Sequence, residues 1–122
     1  MSTVFTEMNY LGDLLKYEEE ILYSRDTITV AAGQNLLLGT VLGILNNKAV
    51  ALNPAATDGS ETVVGILIDD VDAIIDTESV MVSRNVTVSG QYLIWPSTIT
   101  ATQKTAAIAQ LNQLGIVIRT GA

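Results

Sequence analysis

The densest run of chemically capable side chains is Asp69-Asp70-Val71-Asp72, followed by Asp76 and Glu78. Clustered carboxylates of this kind supply the oxygen ligands that a hard divalent cation takes. The run lacks the glycine at the sixth position and the closing glutamate of a calcium loop. Neighbouring Asp residues on a strand also point to opposite faces. A solvated loop that contributes negative surface charge is the better reading, and no metal is assigned. The same carboxylates could pair as general acid and base, but nothing in their spacing brings two of them to one pocket. Serine and threonine are frequent, yet the chain has no histidine to activate a hydroxyl and no Gly-x-Ser-x-Gly elbow. With no cysteine either, thiolate nucleophiles, disulfides and zinc-thiolate sites are excluded. Gly39 and Gly43 lack the Gly-Lys-Ser/Thr ending and the dinucleotide spacing of phosphate-cradling loops. Asn85-Val86-Thr87 matches a glycosylation sequon, which has no consequence outside a secretory pathway. The expectation is a protein that is not an enzyme, with no catalytic residue and no cofactor.

Composition narrows the partners. The 122 residues carry a net charge of −7, and 48% of them are hydrophobic, mostly Ala, Val, Leu and Ile. That suits one domain with a modest aliphatic core, for which further burial against copies of itself would add stability. The six basic residues, Lys16, Arg25, Lys48, Arg84, Lys104 and Arg119, are scattered. Binding to nucleic acid or to an anionic membrane needs them clustered, so neither is expected. No apolar run approaches the length of a membrane span. The start, Met1-Ser2-Thr3-Val4, has no signal-peptide character, so synthesis in a cytoplasm is expected.

Three zones must position whatever the chain presents. In residues 1–26, Phe5, Tyr10, Tyr17 and Tyr23 accompany the acidic run Glu18-Glu19-Glu20. Leu11, Leu14, Leu15, Glu18 and Leu22 can form one side of a helix packed on its own domain. The segment reads equally well as an arm that takes its structure on a partner. Residues 27–122 form the body, which opens with strands and turns. Thr27-Ile28-Thr29-Val30 alternates, and Ala32-Gly33-Gln34-Asn35 is a turn. Gly39 and Gly43 break residues 36–45 into short bent strands. Asn46-Asn47-Lys48 makes a hairpin turn into Ala49-Val50-Ala51-Leu52. Val63-Val64-Gly65-Ile66-Leu67-Ile68 is a nearly continuous apolar strand, and residues 79–89 are another strand region. Trp95-Pro96 joins the only Trp to one of two Pro residues. The Trp reads better as a cap on the core than as an interface residue. Thr100 with Gln103 forms a capping box for a helix over about 101–114, which Gly115 ends. Ile116-Val117-Ile118 is the last strand. The fold is thus mainly β, with one helix in the C-terminal region.

These features occur in a recognisable order. Ala56-Thr57-Asp58-Gly59 is followed by Val64-Gly65-Ile66-Leu67, then by Leu93-Ile94-Trp95-Pro96. A Thr102-Gln103-Lys104-Thr105-Ala106 helix and a short apolar strand complete the set. From about Leu36 onward the chain resembles the phage head decoration protein D family, whose best-known member coats the lambda capsid. The segment from Phe5 to Glu18 looks like the longer N-terminal region of other phage and prophage members. It departs from the polar, Pro- and Gly-containing start of the lambda protein.

The resemblance implies a β-clip-like small barrel or sandwich, a homotrimer, and a place on the outer surface of the expanded head within the virion. It also implies that an extended N-terminal arm adds a strand to the major capsid protein, so that the trimers hold the shell against packaged DNA. The arm residues expected to make contact are Phe5, Tyr10, Leu11, Leu14, Leu15 and Tyr17. Two other classes compete: a trimeric nucleotide hydrolase of β-clip fold, which lacks its catalytic signatures here, and a generic surface adhesion module, which lacks an export signal.

Overall fold

A computed structural model describes residues 24–119 and the backbone of residues 15–18. Its centre is a closed barrel of five strands: β2 (Arg25–Val30), β4 (Val41–Leu45), β5 (Lys48–Ala51), β6 (Gly65–Leu67) and β8 (Thr77–Val82). Around the barrel the order is β2-β5-β4-β6-β8, with β8 closing back on β2. Every contact is antiparallel except that of β2 with β5, where Val30 faces Ala49. Closure leaves the barrel no free edge. The remaining strands are β1 (Leu15–Glu18), β3 (Asn35–Leu36), β7 (Val71–Asp72), β9 (Val86–Ser89) and β10 (Ile116–Arg119). Helix α1 (Ala101–Gln113) precedes β10.

Alternation along the strands divides the core in two. Val30, Leu42, Ala49, Leu67 and Met81 belong to one buried cluster, which Leu36 and Val71 extend. Val41, Ile66 and Val82, one residue away on the same strands, belong to the other. There they meet Val86 and Val88 of β9, Ile116 of β10, and Ala107 and Leu111 of α1. Strands β4 and β6 are therefore buried on both faces, which is why their sequences read as unbroken apolar runs.

Local chemistry sets the turns. Asn46 and Asn47, at φ 52° and 64°, form the two-residue link in which Leu45 faces Lys48, a turn requiring left-handed angles at both positions. The expected capping box forms: the Thr100 hydroxyl accepts the Gln103 amide and the Gln103 side chain accepts the Thr100 amide. Gly43 sits mid-strand for a different reason. A Cβ there would lie 2.3 Å from the Ser60 carbonyl oxygen, so its absence lets the 53–62 loop close on the barrel.

Two expectations need correction, and one open choice is narrowed. Residues 79–89 are not one strand region but parts of β8 and β9, separated by a turn at Ser83–Asn85 in which Asn85 has φ 52°. The apolar run from Val63 to Ile68 contributes only the three residues of β6, although Val64 and Ile68 still donate backbone hydrogen bonds to Leu42 and Val80. Of the two readings left open for the N-terminal segment, a helical face through Leu11, Leu14, Leu15, Glu18 and Leu22 or an arm, the helical one does not hold at residues 15–18, which form strand β1. Backbone pairing with β9 overrides the helical spacing there, as tertiary context commonly does.

Candidate interaction surface

Strand β9 lies between β1 and β10 in a three-stranded sheet. It runs parallel to β10 and antiparallel to β1, with Leu15 opposite Val88, Tyr17 opposite Thr87 and Glu18 opposite Val86. The register shifts between Leu15 and Tyr17, as at a β-bulge, where a strand bends. Of the six expected arm contacts, Leu15 and Tyr17 are thus held by the body's own sheet. Phe5, Tyr10, Leu11 and Leu14 lie outside the described residues. Arg25 and Asp26, also within the expected arm, open β2 of the barrel.

The expected acidic loop is a built structure. Val71 and Asp72 form β7, which pairs with β3 through Leu36 and Asn35. Asp70 accepts the Leu38 amide at 2.7 Å. Asp76 accepts the Ala32 amide at 2.9 Å and pairs with Lys48 at 2.6 Å. The Lys48 partner and the Ala32 bond hold the Asp76 carboxyl below the usual carboxylate range. Among the described residues, no three acidic side chains gather as a metal site would require.

Between these anchors the chain raises an apolar tip. Ala73 is buried and exchanges backbone bonds with Gly33 and Gln34, of 2.7 and 2.8 Å. The next two side chains, Ile74 and Ile75, are 82% and 72% exposed. The Thr77 hydroxyl holds the Ile75 carbonyl at 2.8 Å. Sequence reasoning passed over this tip because the surrounding carboxylates drew the segment toward a polar loop. The adjacent pair Ile74-Ile75, with no alternating partner to bury it, was the signal available.

A cleft of about 200 Å³ opens at the far end of β3. Leu36, Leu37, Val41, Ile94, Trp95 and Pro96 line most of it, with Asn35, Thr40 and Ala51 completing the wall. Thr40 and Ile94 form a parallel bridge, and the Ile94 amide donates to Gly39 at 2.9 Å, fixing the two sides together. Leu37 is 51% exposed. Trp95 packs on the second core cluster with part of its ring in the cleft, and the Lys104 ammonium stands 5.5 Å from the ring centroid. Trp95 therefore both caps the core and presents a surface. The cleft is lined mostly by apolar side chains, and among the described residues no carboxylate lines it, so it is suited to contact rather than to acid–base chemistry.

A scan against protein-family models matches residues 4–116 to the bacteriophage lambda head decoration protein D. The chain belongs to that family. No curated protein matches it. The family match runs through the N-terminal segment as well as the β-rich body, and so spans the described domain almost entirely. As a head decoration protein, the chain is a structural component that associates with the phage capsid. Its surface features are those of a contact-making protein: an apolar cleft, an apolar tip, and an N-terminal segment that enters the domain as an edge strand.

Proposed function

We propose that this decoration protein binds the outer surface of the expanded head as a homotrimer and cements adjacent subunits of the major capsid protein against internal DNA pressure. The observation that carries the reading is the position of β1 at the edge of the β1-β9-β10 sheet. It anchors the start of the described chain by backbone pairing, leaving Phe5, Tyr10, Leu11 and Leu14 upstream as capsid contacts. Extended segments of this composition bind by strand addition, with main-chain hydrogen bonds giving affinity and alternate side chains giving specificity. Three such arms on one trimer act multivalently, so individually weak contacts sum to tight attachment. The acidic body has no use for DNA and suits a position outside the shell, after synthesis in the host cytoplasm.

The test removes residues 1–14 and keeps β1. Removing everything to residue 25 would also strip the sheet edge from β9 and cut into β2, confusing loss of binding with loss of fold. The shortened protein should melt as the full chain does and fail to co-sediment with expanded heads. Undiminished co-sedimentation would overturn the arm assignment.

A further inference from the structure

We propose that copies of this chain join head to tail, with the Ile74–Ile75 tip of one copy seated in the Trp95 cleft of the next. This rests on the reading that the decoration unit is a homo-oligomer, and it names the surfaces that make the seam.

Among the described residues, nothing covers the tip. Ile74 and Ile75 are 82% and 72% exposed, yet the segment carrying them is firmly held. Ala73 is bonded to Gly33 and Gln34 on one side, and Asp76 to Ala32 and Lys48 on the other. Two rigidly presented isoleucines form a knob whose ordering cost has already been met by the fold, which favours association. The same chain offers an apolar recess, the cleft between Leu37 and Trp95-Pro96, whose walls are likewise fixed by backbone bonds. The knob and the recess are different surfaces, so their contact is heterologous, the type that closes into a ring when the rotation permits.

Charge selects a second copy as the occupant. Asp72, two residues before Ile74, is exposed beside the tip, while the exposed Lys104 stands against the Trp95 ring at the cleft. Asp76 is already matched by Lys48, so Asp72 is left to face a cation across the seam. In a chain of net charge −7, self-association is opposed by overall repulsion. Lys48, at the tip end, is occupied by Asp76, so a local match of this kind directs the tip to the cleft end, where Lys104 stands over Trp95.

The experiment uses the full chain and two surface substitutions, Ile74→Asp on the tip and Leu37→Asp at the cleft, both at exposed positions. Sedimentation velocity should show that each variant is folded and associates at least about tenfold more weakly than the natural chain, as removal of a central contact does. Mixing the two variants is the decisive step. The first retains a sound cleft and the second a sound tip, so the mixture should form one-to-one heterodimers that neither variant forms alone. Asp72→Lys and Lys104→Glu should each weaken assembly, and together restore it. The seam is overturned if both aspartate variants keep the natural oligomer, or if their mixture stays monomeric. It is equally overturned if the tip variant assembles normally but loses head binding, which would make the tip a capsid contact. Head co-sedimentation of the natural chain separates the two readings. An assembled chain that ignores heads would fell the decoration role and leave the seam, whereas a monomer that binds heads would do the reverse.

Discussion

Replacing Gly43 with alanine tests whether close packing of a loop on the barrel, rather than backbone freedom, requires glycine there. Gly43 lies in β4 opposite Val50 and has no left-handed angle to satisfy. A methyl group would lie 2.3 Å from the Ser60 carbonyl oxygen, 2.9 Å from its carbon and 3.0 Å from its Cα. All three atoms are backbone, so no side-chain rotation relieves the clash. Ser60 is itself fixed: its carbonyl accepts the Asn53 amide at 2.9 Å, and its amide and hydroxyl both bond Asp58. Forcing such a shift in a packed region costs about 1–3 kcal/mol. The loss of unfolded-state freedom on going from glycine to alanine returns only about 0.4–1 kcal/mol. The net destabilisation is therefore about 1–2 kcal/mol, a fall of roughly 4–10 °C in Tm for a domain of this size. Gly33→Ala is the matched control. Nothing lies within 4 Å of its added Cβ, but its φ of +92° is left-handed, so only the backbone penalty of about 1 kcal/mol applies. Calorimetric melts of both variants, with the 53–62 loop followed by amide exchange, separate the two causes. Gly43→Ala should loosen the loop as well as lower Tm, and Gly33→Ala should leave the loop protected. A Gly43→Ala protein that melts with the natural chain and keeps the loop protected would refute the argument.

Further outcomes follow from single side chains. Among the described residues, the buried Ser79 hydroxyl of β8 has no hydrogen-bond partner, so Ser79→Ala should raise stability in urea titration by about 1 kcal/mol, the desolvation cost of an unmatched polar group. Thr100→Ala removes half of the capping box and should lower stability by about 1 kcal/mol, with loss of amide protection confined to the first turn of α1. Asp26 is held below the usual carboxylate range by the Ser83 hydroxyl at 2.6 Å, with burial opposing and Arg84 adding to the effect. A lowered folded-state value means its stabilisation is fully present above the unfolded value near pH 4 and fades as pH falls through the folded one. Tm should therefore drop with acidification below about pH 4, and Asp26→Asn should flatten that part of the curve while lowering Tm at neutral pH.

Elements whose chemistry is local could be read from the residues alone. The Asn46-Asn47 turn, the Thr100–Gln103 box and the Gly115 cap each depend on neighbours in sequence, and all three form as the sequence implies. Elements decided by distant partners could not. Strand β1 has helical spacing but is claimed by β9, some seventy residues away. Strand β7 consists of Val71 and Asp72 inside an acidic run, and only β3 makes it a strand. The turn between β8 and β9 is also long-range in origin: the Ser83 amide reaches the Ser24 carbonyl at 2.8 Å, and its hydroxyl reaches Asp26. The surface features were hidden for the same reason. Leu36 and Leu37 look alike in sequence, yet the pairing with β7 buries the first and the period of the strand turns the second outward.

That small β3–β7 ladder connects the barrel to both apolar surface features. It lies outside the barrel and borders both apolar features, with the Ile74–Ile75 tip leaving its β7 end and the Leu37 rim of the cleft leaving its β3 end. Leu36 and Val71 root it in the same core cluster as Met81 and Leu67, so the barrel fixes the separation of tip and cleft. A closed barrel deforms little because every strand is paired on both sides. If the proposed cementing role holds, the protein must pass force between neighbours without yielding, and contacts mounted on a barrel meet that need better than contacts carried on long loops. The arrangement is also compatible with the proposed cementing role despite a thin aliphatic core. In that proposal the core has only to keep the barrel closed, while resistance to separation would come from many contacts made between molecules.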